Sequence, residues 1–199
     1  MVRFLLLLFL FPLMLPLNGQ DDLLRGYLIT LDGKRLLGHI GPINHIRDDF
    51  YLYFENDFGT DYNIPPQLIK GFLFKQDSTN FIFESYYHNG RWTYLQLIYP
   101  GDEILLYQTP NIQVNWVQFE GQARPIIPKH KHLWIKAKHH KITRIKRLNY
   151  KRKLKKIFQK VDPELAKKIG KPGYRFKDIF DILRAYNLRK KKVKSKIWI

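Results

Sequence analysis

The chain has 199 residues, 45% of them hydrophobic and 15% aromatic, and a formal net charge of +18. That apolar share buries one sizeable core, which excludes a disordered tail. With no cysteine, the chain has no disulfide framework, no thiolate metal site and no lipid attached at a signal junction. The charge is divided unevenly: residues 4–127 hold 8 Lys/Arg against 13 Asp/Glu, and residues 128–199 hold 26 against 4. A C-terminal surplus of +22 points to an anionic partner, either nucleic acid, lipid or an acidic protein.

MVRFLLLLFLFPLMLPLNGQ has the three parts of a secretory signal. Arg3 is the positive start, Phe4 to Leu17 are apolar, and Gly19 precedes Gln20 at a plausible cleavage point. The apolar run falls short of the ~20 residues of a membrane span, and Pro12 and Pro16 disfavour a spanning helix. The expectation is an exported chain, periplasmic, outer-membrane-associated or secreted. Residues 1–19 are read as the signal; the rival is an uncleaved anchor. Outside the cytoplasm the anions are lipid head groups, lipopolysaccharide and acidic proteins, which disfavours nucleic acid.

Residues 20–140 read as an antiparallel β-rich domain. LRGYLITL and KRLLGHI flank Asp32-Gly33, which predicts a two-residue hairpin turn with positive φ at both positions. FYLYFEN ends at Asp57-Phe58-Gly59, and Pro65-Pro66 precedes QLIKGFLF. NFIFESYYH and WTYLQLIYP flank Asn89-Gly90-Arg91, a second hairpin signal of the same kind. EILLYQ, IQVNWVQF and HLWIKAK complete the predicted strands. On the strand 80–88, Phe81, Phe83 and Tyr87 share one face and Ile82, Glu84 and Tyr86 the other, so the sheet is expected to be covered on both sides. Short strands with tight turns predict a barrel- or sandwich-like meander.

Residues 141–199 read as a basic helical extension packed on that domain. In YKRKLKKIFQKV the apolar residues Tyr150, Leu154, Ile157, Phe158 and Val161 fall on one helical face, with Asn149 as the N-cap. Asp162, with Pro163 behind it, caps a second helix that stops at Gly170. A third runs from about Tyr174 to Leu188 with Phe176, Ile179, Phe180 and Leu183 inward, before a cationic tail at 189–199. The whole is an α+β chain.

Chemistry-bearing patterns are few. His130, His132 and His140 would project to one side of a strand and are the candidate metal ligands. No Asp or Glu lies between Glu120 and Asp162 to complete such a site, and the surrounding lysines repel a dication, so a solvated cationic face is the better account. The pairs Asp48/Asp49 and Asp102/Glu103 are neighbours in sequence and point to opposite faces of a strand, which is no acid/base geometry. No nucleophile elbow, zinc-protease helix or phosphate-binding glycine loop is present. The reading is a non-catalytic protein without a cofactor. Its anionic-partner residues are expected to be Lys151, Arg152, Lys155, Lys156, Lys190, Lys191 and Lys192. The alternatives are a nucleic-acid binder, if the N-terminus is not an export signal, and an envelope hydrolase whose site is not visible in sequence.

The signal ending at Gln20, GYLITLDGKRLLGHI, IKGFLF, WTYLQLIYPGDEILLY, YKRKLKKIF and a close near Tyr186-Asn187 together resemble a group of uncharacterised secreted proteins of Bacteroidota. The resemblance implies an envelope location and a small β-domain with short C-terminal helices; it implies no activity and no site residues. Members of the group often carry Cys in the helical part. This chain has none, so packing must replace any disulfide staple there.

Overall fold

The structure, a computed structural model, describes residues 23–46, 49–110, 132–138 and 140–197, with side chains described as far as residue 190. Among the described residues one antiparallel sheet contains β1 (Leu24–Thr30), β2 (Arg35–Ile46), β3 (Asp49–Asn56), β4 (Asp61–Ile64), β5 (Ile69–Gln76), β6 (Thr79–His88), β7 (Arg91–Tyr99), β8 (Ile104–Gln108), β9 (Leu133–Ala137) and β10 (Thr143–Ile145). The helices α1 (Tyr150–Phe158), α2 (Pro163–Lys168) and α3 (Ile179–Ile197) follow. The α+β architecture expected from periodicity is the one observed. The expected strand at 112–119 lies outside the described residues, while β4 and β10, of four and three residues, are too short to show an alternation.

The strand order is β10-β9-β8-β7-β6-β5-β1-β2-β3-β4. This is two meanders joined back to back. The chain runs outward from β1 to β4, then returns through Pro65-Pro66 and a 3-10 turn (Pro66–Leu68) to lay β5 against the free side of β1. Neither proline can continue a ladder, so the first meander stops there.

Turn chemistry sets the hairpins. Asn89 and Gly90 both have positive φ, 51° and 81°, and His88 pairs with Arg91, which is the expected two-residue turn. Asp32-Gly33 differs from expectation, because only Gly33 is left-handed, at φ 89°. Gly33 N donates to Thr30 O and Thr30 N to Lys34 O, at 2.9 Å each, a longer loop in which glycine alone takes the left-handed position. Asn56 to Thr60 repeats that arrangement around Gly59.

Directly paired residues share a face, so the register traces each face across the sheet. Leu28, Phe72 and Phe83 lie on one face with Tyr94 of β7, and with Ile40, Leu52, Phe54 and Phe74 they form one core. Tyr94 Oη donates to Ile64 O at 2.8 Å, so the first half of the sheet curls until the end of β4 meets β7. The other face carries Leu95, Tyr107 and Trp134. Across it Lys136 Nζ of β9 donates to Tyr86 Oη of β6 at 3.1 Å, so the second half curls in the opposite sense. Tyr94 and Leu95 are consecutive and both 0% exposed, as they must be if each face of β7 is covered.

The three helices close the back of the second curl. Ile104, Leu106, Leu133, Ile135 and Ile145 of the strands pack with Leu154, Ile157, Phe158, Leu165, Ile179, Leu183 and Tyr186 in one continuous core. This apolar packing holds the helical part without a disulfide. Its polar anchor is Asn187, 7% exposed, which ties α3 to the start of β8. Asn187 Oδ1 accepts from Glu103 N at 2.9 Å and Ile104 N at 3.1 Å, and Nδ2 donates to Ile104 O at 3.1 Å and Leu183 O at 3.0 Å.

Candidate anion-binding surface

Helix α1 forms where the apolar spacing predicts it, with Leu154, Ile157 and Phe158 buried and Tyr150 half-buried. Two of its expected features differ. Asn149 caps no helical N–H; its side chain turns back to accept from Lys146 N at 2.8 Å and stabilises the turn leading in. Val161 lies beyond the helix end and is 38% exposed, because the chain has already turned at Gln159 to start α2. Asp162 caps α2 as expected, accepting from Leu165 N at 2.9 Å behind Pro163.

The third helix begins later and ends later than its sequence pattern indicates. Asp178 accepts from Arg175 N at 2.9 Å and winds a 3-10 turn (Phe176–Asp178) before α3. Helix α3 then continues to Ile197, through most of the span read as a cationic tail. Lys and Arg are good helix formers, so a run of them does not end a helix that packing has already started.

The basic residues of this unit divide by what they touch. Lys151, Arg152 and Lys156 are exposed and Lys155 is half-buried; none of the four has a carboxylate partner among the described residues. The stem of Lys151 lies along Gly170. Lys190 is already engaged, donating to Val161 O at 3.2 Å with its ammonium 5.7 Å from the centre of the Tyr186 ring. The side chains of Lys191 and Lys192 lie outside the described residues, on a backbone that is helical.

All four acids of the C-terminal part sit at the starts of helical turns. Asp162 caps α2 and also meets Arg189 at 2.9 Å, Glu164 lies in the first turn of α2 and pairs with Lys167 at 2.8 Å, Asp178 holds its 3-10 turn, and Asp181 begins α3. Carboxylates there complement the helix dipole. The cations of α1 are left over, two of them (Lys155, Lys156) in its last turn where the dipole favours them.

Two of the three candidate metal ligands, His132 and His140, are among the described residues. His132 precedes β9, and His140 follows it in a turn where its N–H donates to Ala137 O at 2.9 Å, so strand alternation does not carry from one to the other. His130 lies outside the described residues, among which no three metal-ligating side chains form a group.

A second polar feature fills the inner side of the second curl. The hydroxyls of Tyr86 and Tyr107 both donate to Glu84 Oε2, Tyr107 at 3.0 Å. Burial, and then the bond to Glu84, push the Tyr86 hydroxyl far above the ordinary phenol range, and burial does the same at Tyr107. Two phenols held protonated against one carboxylate tie β6 to β8 across the inner side of the curl.

Nearby lies a constellation that sequence reading did not anticipate. His88 ends β6, Arg144 lies on β10, Lys146 follows it, and Lys153 lies on α1; the Trp134 indole touches His88 and Arg144, and Lys153 reaches Arg144 O. More than fifty residues separate His88 from Arg144, so no local pattern links them. Only the curl of the second meander brings them together.

Comparison of the chain with protein-family models, curated proteins and solved structures finds no match. Among the described residues no helix is long and apolar enough to cross a membrane.

Proposed function

We propose that the chain is an exported, non-catalytic envelope protein that holds an anionic surface against the cationic side of its C-terminal helices. The observation that carries this reading is the division of labour on α1. Its apolar face is consumed in the core, while Lys151, Arg152 and Lys156 face solvent with no carboxylate to neutralise them among the described residues. With that face buried, contact with a membrane or lipopolysaccharide rests on charge, not on insertion of an amphipathic helix.

The aromatic residues of the helical part, which a single-stranded nucleic acid bound to its cations would use for stacking, have partners within it. Tyr150 packs edge-on to Phe176 at 5.8 Å and Phe158 edge-on to Tyr186 at 5.0 Å, while the Lys168 ammonium lies 5.9 Å from the Tyr174 ring centre. The resemblance to secreted Bacteroidota proteins supports the same location.

The test is co-sedimentation with phosphatidylglycerol vesicles and with envelope fractions at low salt. Wild type is expected to bind, and to release as salt rises. The variant Lys151→Glu/Lys155→Glu/Lys156→Glu is expected to lose most of that binding; retention at wild-type level rejects the reading. N-terminal sequencing of the mature protein tests export, and an intact Met1 in the cytoplasm would reject it.

A further inference from the structure

We propose that His88 and Arg144, which meet on Trp134, form with the neighbouring Lys153 and Lys146 a receptor site for one tetrahedral oxyanion of the phosphate or sulfate class. This site is separate from the outer side of α1 and does not depend on that side binding anything.

The geometry starts at Trp134. It pairs directly with Arg144 across β9 and β10, and the Arg144 guanidinium lies 5.8 Å from the indole centre. His88 approaches the same indole edge-on, at 4.8 Å and 89°. Lys153, half-buried, donates to Arg144 O at 2.7 Å. An ammonium has three donors, so two remain for another acceptor.

Two features make this more than a sample of the basic surface. First, Arg144 Nε is buried and has no acceptor. A buried donor of a charged group left unsatisfied is costly, and an oxyanion is the acceptor that an arginine fork fits best. Second, the cations face one another. Lys153 and Arg144 both act on His88, Arg152 and then Arg144 and Lys146 act on Lys153, and no described carboxylate lies in salt-bridge reach of any of the four site cations. Burial first, then these neighbours, lower the proton affinity of His88 and Lys153. His132, at the rim, is lowered by burial and by Arg144 and Lys146 in the same way. One bound oxyanion would relieve the repulsion and accept from the Arg144 guanidinium, from Lys153 and from a protonated His88. The cluster is partly open, since His88, Arg144 and Lys153 are half-buried and Lys146 is exposed.

The test is calorimetric titration of the intact chain with sodium phosphate, and separately sodium sulfate, at constant ionic strength set with sodium chloride. One saturable site is expected. Arg144→Met, which keeps the stack on Trp134, and the exposed-position variant Lys146→Gln are each expected to weaken it, Arg144→Met by tenfold or more, with circular dichroism confirming the fold. The charge-reversed α1 variant is expected to bind phosphate as wild type does, whatever its behaviour on vesicles. Competition by free phosphate for vesicles carrying phosphatidic acid assigns the anion to a lipid head group; phosphate binding without such competition assigns it to a free anion. No saturable binding of either anion at constant ionic strength, or equal affinity in both site variants, overturns the proposal.

Discussion

Asn187 shows how much one residue of this chain carries. Its amide meets two backbone donors and two backbone acceptors, joining α3 to β8. Asn187→Leu fills a similar volume but leaves Glu103 N and Ile104 N without an acceptor in a buried place. An unsatisfied buried group costs about 1–3 kcal/mol, so a loss of roughly 2–4 kcal/mol is expected by urea unfolding. Gly101 is bound to the same lock: a Cβ there would strike Asn187 Nδ2 and Ile104 O. Gly101→Ala is therefore expected to destabilise the fold, and to do so in the Asn187→Leu background as well, because the clash with the backbone oxygen of Ile104 remains there.

At the scale of elements, α1 separates stability from surface charge. Leu154 is fully buried in the core shared with β8, β9 and β10, so Leu154→Ala is expected to cost about 2–5 kcal/mol. Lys156→Gln on the outer side of the same helix is expected to change stability by no more than about 0.5 kcal/mol. Asp162→Ala removes the cap on α2 and the partner of Arg189, for about 1 kcal/mol or somewhat more. Denaturant titration of the three variants side by side checks this ranking. If Lys156→Gln unfolded the protein as readily as Leu154→Ala, α1 would not dock as described.

The whole molecule is a sheet curled in two opposite senses, and its pH response follows from what the second curl encloses. His88 is partly buried against the Trp134 ring of β9, and it is then pressed by Lys153 from α1 and Arg144 from β10. Its imidazole is therefore held below the ordinary value, and the neutral form is favoured in the fold. An unfolded chain takes up that proton at about pH 6.5. The sign follows: this contribution is fully present above about pH 6.5 and is lost as the pH falls through the lower folded value. The midpoint of thermal unfolding is expected to fall more steeply between pH 7.5 and 5.5 in wild type than in His88→Gln, and phosphate should lessen the wild-type decline. Identical slopes for the two proteins would remove His88 from the account.

Local patterns in the sequence determined the class of the molecule and most of its parts. Period-two runs marked the longer strands, Asn89-Gly90 marked its turn, and the spacing of Leu154, Ile157 and Phe158 marked the buried side of α1, because each signal spans neighbours that one element fixes. The same locality limited the reading. Strands of three or four residues left no period, Asp32-Gly33 did not reveal its loop length, and a helix already held by packing ran on through a basic stretch. The expected cationic residues of α1 were legible as the complement of an apolar stripe, although Lys190 proved to be tied to Val161 O. Only the tertiary structure decided that β5 returns to β1, that the sheet reverses its curl, and that His88 and Arg144 meet on Trp134 with Lys153 beside them. Those outcomes depend on how faces far apart in the chain are buried against each other. The energy of that burial belongs to pairs of surfaces, and no single segment of sequence records it.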